Sequence, residues 1–242
     1  MKRSQRRDLK QDEFVSRLEL TVRWFIQNRK IVINLVLLLV GAGLLLGGLY
    51  VHRARQTKTA SALLAEALDQ YHGNVGTDTS NTGSGIPSYA SQEQKYRTAL
   101  ESFQEISTNY SSYEPGRHAT YYVALCHSAL DQLDAAEASL TLLRTGYRDL
   151  LYYLGSRSLA GVKARKQDYA GAAEIYRVLV DDAANPLPKD HLLFELAKAE
   201  ERAGNVEQAR QLYERMLAEH QDSQLRGDAM ARSEALEYVA ES

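Results

Sequence analysis

Cysteine is almost missing from this chain, since Cys126 is the only one among 242 residues. A single cysteine excludes an intramolecular disulfide and a cysteine-rich zinc site. We expect Cys126 to be a small buried hydrophobic residue, with a reactive or intermolecular thiol as the alternative.

Patterns that carry chemistry are also missing. The sequence has no nucleotide-binding glycine loop, no HExxH and no GxSxG, and its six histidines do not recur at metal-ligand spacing. Paired acids such as Asp181–Asp182 and Glu200–Glu201 are expected to be charges on helix surfaces. The sequence therefore predicts a protein that is not an enzyme and that holds no catalytic residue, cofactor or metal.

Positive charge is scarce after the first 30 residues. Residues 1–30 hold nine Lys and Arg against four Asp and Glu, whereas the remainder holds twenty basic and twenty-seven acidic residues. Because phosphate binding needs clustered positive charge, the acidic body argues against nucleic acid as a partner.

One long apolar run is present at Ile31–Val51, which contains 21 residues and no charge. As a helix it spans about 30 Å, the thickness of a bilayer's hydrocarbon core. The alternative, a cleaved signal peptide, usually has an apolar region of only about 7–15 residues. We therefore expect an uncleaved single-pass transmembrane helix. The positive-inside rule places residues 1–30 in the cytoplasm and residues 52–242 on the far side of the membrane.

Gly43 and Gly47 form a GxxxG pattern inside this run. Small residues at this spacing allow two membrane helices to approach closely, either two copies of this chain or this chain and another membrane protein. The alternative is that glycine is simply common in membrane helices.

Residues Gln11–Asn28 place Phe14, Leu18, Val22 and Phe25 or Ile26 on one face of a helix. This pattern predicts an amphipathic helix that lies on the inner membrane face. The alternative is a solvated helix beside the membrane.

Four alanines recur at intervals of 37, 36 and 37 residues: Ala99, Ala136, Ala172 and Ala209. Apolar residues stand three before, four after and seven after each of them. These offsets trace one helical face, so one apolar stripe is repeated four times. A fixed period of this length predicts an array of helical repeats, with the alanines as packing residues.

The pattern divides the chain into four parts: 1–30, 31–51, 52–91 and 92–242. The third is a helical neck followed by a Gly/Ser/Thr-rich loop at 72–91, expected to be an unstructured tether or a binding segment. The fourth is the repeat domain, and we expect Ala60–Tyr71 to partner its first helix. The predicted helices of this domain are Gln92–Asn109, Gly116–Gln132, Asp134–Thr145, Leu150–Arg165, Tyr169–Asp182, Asp190–Ala203, Val206–His220 and Ser223–Val239.

The repeats resemble the tetratricopeptide repeat over residues 92–221. Ala124, Ala160 and Ala197 match its small residue at position 8, and the four alanines above match its Ala at position 20. The period of 36–37 exceeds the family's 34, and the family's Trp at position 4 is replaced by Thr120, Ser156 and Leu193. The resemblance implies an all-α fold, in which a tetratricopeptide-like solenoid of helical hairpins follows the transmembrane helix and ends in a capping helix.

The same resemblance implies that the first helix of each pair lines a concave, protein-binding face. Its facing positions hold His118, Tyr121, Leu125, Leu154, Arg157, Gly161, His191, Phe194 and Lys198. The alternative is that Tyr121 and Phe194 belong to the core between repeats.

The layout is similar to the bacterial ancillary subunit of the Sec translocon, through KQDEF…VRWFIQNRK before the apolar run and RARQTKTASALLAEAL after it. This resemblance implies partners among translocon subunits, periplasmic chaperones and emerging client polypeptides. The alternative is a scaffold for another envelope machine, such as those of cell division, pilus assembly or outer-membrane assembly.

The predicted orientation is testable by protease protection. In membrane vesicles with the cytoplasmic face outward, residues 52–242 should resist added protease until detergent opens the vesicle. Digestion of this body in intact vesicles would contradict the topology.

Overall fold

The computed structural model describes residue 24, residues 27–76 and residues 87–241. Contacts divide the chain into two compact units, Met1–Arg55 and Gln56–Ser242. The described residues form nine helices and two strands: α1 (Arg29–Tyr71), β1 (Asn74–Val75), β2 (Ser88–Tyr89), α2 (Gln92–Asn109), α3 (Glu114–Ala129), α4 (Leu133–Leu143), α5 (Leu150–Arg165), α6 (Tyr169–Asp181), α7 (Lys189–Arg202), α8 (Val206–Glu219) and α9 (Arg226–Glu241).

In the first unit, the predicted apolar run Ile31–Val51 lies within α1. Within the described residues, α1 alone is long and apolar enough to cross a membrane. Gly43 and Gly47 have open space around them, with no atom within 4 Å of a Cβ built at either position. Most of the predicted amphipathic helix Gln11–Asn28 lies outside the described residues.

In the second unit, the helices after β2 pack in sequence, each on the next, from α2 to α9. The pairs α3–α4, α5–α6 and α7–α8 are helical hairpins, and α9 packs against α8 at the end of the stack. The nearly all-α repeat architecture and the terminal helix are as predicted. The main difference in bounds is α9, which begins at Arg226 because Ser223 and Leu225 form the preceding turn.

The repeated stripe forms the core. Ala99, Ala136, Ala172 and Ala209 are completely buried, which confirms their predicted packing role. The residues four and seven positions later are also buried, while those three positions earlier are half-buried. Ala124, Ala160 and Ala197, on the first helices of the hairpins, are completely buried as well.

The last turns of α1 supply the partner of α2. Ala67 is buried in one cluster with Phe103 and Ile106, and Tyr71 packs against it. The Ser102 hydroxyl donates a hydrogen bond to Gln70 Oε1 at 2.7 Å. The first hairpin is therefore completed from the far side of the 72–91 loop, as expected.

The 72–91 loop differs from the expected unstructured tether, because its two ends are joined by a short β-sheet. β1 and β2 pair in parallel, with Asn74 opposite Ser88. The Asn74 amide donates to the Pro87 carbonyl at 2.9 Å. A Cβ at position 73 would lie 2.5 Å from the Tyr89 ring, so only glycine fits at Gly73, just before β1. Residues 77–86 lie outside the described part of the chain.

The expectation of surface charge at Glu200–Glu201 is wrong. Glu200 is 1% exposed; it accepts hydrogen bonds from Arg177 and from Asn205 Nδ2, the latter at 2.7 Å. Glu201 is half-buried and accepts from the Tyr213 hydroxyl at 2.9 Å. The pattern of adjacent acids could not reveal this, because the cations and hydroxyls that surround them come from neighbouring helices.

The turn inside each hairpin uses one conformation at one repeat position. Asp131, Gln167 and Gly204 stand five residues before the buried alanine, and their φ angles are 60°, 66° and 87°. In each case the next residue's amide bonds to a carbonyl five positions earlier, at 2.9 Å. This left-handed helix ending is favourable for glycine and strained for other residues, yet only one repeat has glycine there.

This position gives a matched pair of substitutions. Gln167→Gly should raise the free energy of unfolding by about 0.5–1 kcal/mol, because it relieves the positive φ. Gly204→Ala should lower it by a similar or larger amount. Urea unfolding of both variants, followed by circular dichroism, measures the difference. A loss of stability in Gln167→Gly would contradict the assigned turn.

Candidate protein-binding surface

The helices α3 and α5, the first helices of neighbouring hairpins, contact each other as well as their own partners. In helical-repeat stacks, the curvature that results from how neighbouring repeats pack creates the concave binding surface. The start of α3 is determined locally. Pro115 suits a first helical turn, and Gly116 is required because a Cβ there would lie 2.0 Å from the Tyr110 carbonyl oxygen.

A cavity of about 620 Å³ opens between α3 and α5. It brings together three of the predicted facing residues, His118, Tyr121 and Leu154. The other lining residues are Glu114, Arg117, Tyr122, Asp149, Leu150 and Leu151. We call this space the α3/α5 cavity.

An ion pair joins the two helices at the α3/α5 cavity. Arg117 donates from its two terminal nitrogens to the two oxygens of Asp149, at 2.6 and 3.3 Å. Asp149 is also the N-cap of α5 and accepts from the Tyr152 amide at 3.0 Å. The Arg117 guanidinium, and next the Tyr152 amide, hold the pKa of the Asp149 carboxyl below its usual value, although partial burial opposes them.

Aromatic rings continue from the cavity into the first hairpin. The Tyr122 ring lies 5.7 Å from Tyr121, 5.3 Å from Tyr71 and 5.0 Å from Phe103, between centroids. Burial raises the pKa of Tyr71 to about 12 and that of Tyr122 above its usual value. Both phenols are therefore neutral at physiological pH, and each hydroxyl keeps a proton to donate. These rings give the surface apolar faces with polar tips.

The remaining predicted residues are not gathered at the α3/α5 cavity. Arg157 and His191 are exposed, and Leu125 and Gly161 are half-buried. Phe194 is only 7% exposed, and its ring lies 5.7 Å from the Tyr213 ring inside the main core. Its position fits the alternative that it belongs to the core between repeats. Tyr121 is half-buried, and its hydroxyl lies 3.3 Å from the Ser158 hydroxyl.

Lys198 lines a second cavity of about 150 Å³, formed by α5, α6 and α7. Its amine donates to both carboxylate oxygens of Glu195, at 3.0 and 3.1 Å. The other lining residues are Ala164, Arg165, Tyr169, Tyr176, Ala199 and Arg202. We call this space the α5/α7 cavity.

Sequence reasoning missed six of the nine residues that line the α3/α5 cavity, among them Arg117, Asp149 and Leu150. Arg117 and Asp149 are 32 residues apart, so their pairing depends on how α3 and α5 cross. Leu150 carried a weak signal in the sequence, because it is an apolar residue at the first position of a predicted helix. The structure leaves its side chain exposed.

The described residues hold no group of three or more His, Cys, Asp or Glu side chains that could hold a metal ion. Cys126 is completely buried, which confirms the expected role of a small hydrophobic residue. Burial raises the pKa of the Cys126 thiol to about 12. Since a thiolate is the reactive form, this thiol is protonated and shielded.

The family model of the tetratricopeptide repeat matches residues 192–223. The match covers most of α7, all of α8 and the turn that follows, which together form the last hairpin. No curated protein matches the chain. The matched repeat and the helical stack are typical of protein-interaction modules, which bind partners along an extended surface and are usually not catalytic.

The Arg117–Asp149 pair predicts a pH-dependent contribution to stability. Because the pKa of Asp149 is lowered by folding, its charged form stabilises the protein above the usual aspartate pKa of about 3.9. That contribution is lost as the pH falls through the lower, folded-state pKa. Asp149→Asn keeps an N-cap and should cost about 0.5–1 kcal/mol at pH 7, since the pair is partly exposed. The cost should vanish in acid.

The control is the same substitution in an Arg117→Gln background, measured by urea unfolding at pH 7 and in acid. An equal cost in both backgrounds at pH 7 would show that the ion pair contributes nothing.

Proposed function

We propose that the protein is a membrane-anchored, non-enzymatic interaction module that binds polypeptide segments on its concave face. The observation that carries this proposal is the α3/α5 cavity, which is open and lies between the first helices of two hairpins. Its volume of about 620 Å³ falls within the range of about 300–1,000 Å³ that is typical of ligand sites.

The lining suits a polypeptide better than a small polar metabolite. Tyr121, Leu150 and Leu154 supply apolar contact, while His118 and Glu114 at the cavity supply polar groups. Leu150 and the nearby Tyr147 are exposed. Exposed apolar groups rimmed by polar residues are typical of interaction sites, and aromatic rings supply much of their contact area.

The membrane anchor determines where this module acts in the proposal. Residues 31–51 span a bacterial inner membrane, residues 1–30 are cytoplasmic, and the neck and loop 52–91 and the repeat domain 92–242 are periplasmic. The support is the apolar length of α1 and the excess of basic residues before it. Gly43 and Gly47 are proposed as the face that contacts a second membrane helix, from another copy or from a partner.

The protein-secretion translocon is the proposed site of action. In this proposal the anchor contacts translocon subunits, and the repeat domain helps pass emerging envelope proteins to periplasmic chaperones. The support is the layout itself, a basic start, one apolar helix and a helical repeat body. A scaffold of another envelope machine is the competing function and is an outcome of the experiment below.

A photo-crosslinking side chain placed at Tyr121 or at Arg157 tests the proposal in cells. Both positions should crosslink translocon subunits, chaperones or emerging polypeptides. A matched control is position 178, because Val178 is exposed on the second helix of its hairpin, α6. It should give few crosslinks.

Two results would contradict the proposal. One stoichiometric partner outside the translocon would favour the scaffold of another envelope machine. Equal crosslinking from positions 121 and 178 would remove the concave face as the binding surface.

A further inference from the structure

The loop that joins α4 to α5 presents apolar side chains that the fold does not use. We call residues 144–149 the α4–α5 loop. Tyr147 in this loop is 86% exposed, and Leu142, in the last turn of α4, is 66% exposed. Neither residue lines the α3/α5 cavity or the α5/α7 cavity. Two other repeats carry a charged residue at the position of Leu142, Glu105 and Arg215, so packing does not require an apolar side chain there.

The α4–α5 loop has a defined turn that holds Tyr147 away from the core. The Thr145 amide and hydroxyl both donate to the Leu142 carbonyl, at 3.4 and 2.7 Å. Gly146 has a φ angle of 104°, which glycine adopts readily and other residues do not. No atom lies within 4 Å of a Cβ built at position 146, so glycine is required by the turn and not by crowding.

The charge of this segment differs from that of the rest of the body. Residues 138–148 contain Arg144, Arg148 and no acid, although acids outnumber cations after residue 30. Arg148 pairs with Asp182 at 3.0 Å. Arg144 is exposed and forms no ion pair with any residue that the structure describes. One uncompensated cation therefore accompanies the exposed Tyr147.

The direction of α1 determines which end of the second unit lies next to its first residue, Gln56. Gln70 is hydrogen-bonded to Ser102, whereas Leu63 and Ile106 line one space further along the same two helices. The last turns of α1 and the whole of α2 therefore run in opposite directions. The end of α2 lies at the end of the unit where Gln56 lies.

The α4–α5 loop lies at this same end. α2 stops at Asn109 and α3 begins at Glu114, so the start of α3 is near the end of α2. Arg117, in the first turn of α3, pairs with Asp149 at 2.6 Å. Because Asp149 is the last residue of the loop, the loop lies at the Gln56 end, and the turns inside the hairpins lie at the opposite end.

We infer that the α4–α5 loop docks on the phospholipid bilayer that holds the anchor. Tyr147 and Leu142 enter the boundary between headgroups and acyl chains, and Arg144 contacts lipid phosphate. The inference rests on the anchor of the proposed function. The apolar run ends at Val51, five residues before the second unit begins, and five residues reach at most about 18 Å. The end of the unit that carries the loop is therefore the end tethered beside the bilayer.

The chemistry of the loop suits a bilayer surface. Tyrosine is enriched at membrane interfaces because its ring is apolar and its hydroxyl stays hydrated. An aliphatic side chain beside it adds buried apolar area, and a nearby cation is attracted to anionic headgroups.

Docking also has a consequence for the α3/α5 cavity. Asp149, Leu150 and Leu151 line that cavity and directly follow Arg148 in the chain. A loop resting on the bilayer holds the cavity beside the membrane, where a polypeptide emerges in the proposed function.

The test places a fluorescent label at position 145 of the full chain in lipid nanodiscs, through Thr145→Cys. Cys126 is completely buried, so a thiol-reactive dye attaches to the added cysteine. The matched control is Ala170→Cys, because Ala170 is exposed in the first turn of α6, at the opposite end of the stack. Lipids with a quencher on the headgroup should quench the label at 145 at least about threefold more strongly than the label at 170.

Substitutions then identify the side chains that dock. With the label at 145, Tyr147→Ser should lower the ratio of docked to undocked label about fivefold or more. Arg144→Gln should lower it about fivefold in anionic lipid and less in zwitterionic lipid. Arg97→Gln removes a cation that pairs with Glu93 on α2, and it should change nothing. Tyr147→Ser should leave the melting temperature unchanged, because the side chain is exposed.

Each other outcome overturns the inference. Equal quenching at positions 145 and 170, or unchanged quenching in Tyr147→Ser, removes the bilayer as the partner of the loop. A label that stays unquenched in nanodiscs, while a photo-crosslinker at position 147 captures a protein in cells, replaces the bilayer with a protein. A chain that does not enter nanodiscs contradicts the anchor and the proposed function as well. A chain that enters them with an unquenched label contradicts only this inference.

Discussion

The close approach of helices at buried alanines is the constraint on which the second unit depends. Each hairpin places one alanine on each of its two helices, as in Ala124 with Ala136 and Ala160 with Ala172. These side chains are completely buried. Alanine leaves room for neighbouring helices to pack closely at such buried positions, and overpacking a buried site usually costs about 1–3 kcal/mol. The alanines thereby determine which faces of the helices meet.

This packing has consequences for charged groups. Once α6 and α7 are held together, Glu200 is enclosed and must be satisfied by Arg177 and Asn205. A buried carboxylate is tolerated only when it is paired and hydrogen-bonded, so these partners are part of the fold. The same packing brings Arg117 to Asp149 across α3 and α5, where the ion pair borders an open cavity.

The packing positions of the repeat differ in how much variation they allow. The four repeated alanines are identical in every repeat and completely buried. The position four residues later is also buried, yet it holds Phe103, Leu140, Tyr176 or Tyr213. The left-handed turn residue varies too, as Asp131, Gln167 and Gly204, although its backbone conformation is the same in each hairpin. The tertiary stack thus imposes a conformation that only Gly204 prefers by itself.

The sequence by itself determined the helices, their order and the buried face of the repeats, because these depend on a local period of 3.6 residues and on a repeat of fixed length. It also indicated the apolar length of α1 and the buried state of Cys126. Only the tertiary structure decided which side chains meet across helices. Phe194 has an aromatic ring that suits a groove, yet it lies in the core, whereas Leu150 lies open at the cavity. The same is true of Arg117 with Asp149. Contacts between residues more than 20 positions apart depend on helix crossing and on the offset between hairpins, which no local pattern encodes.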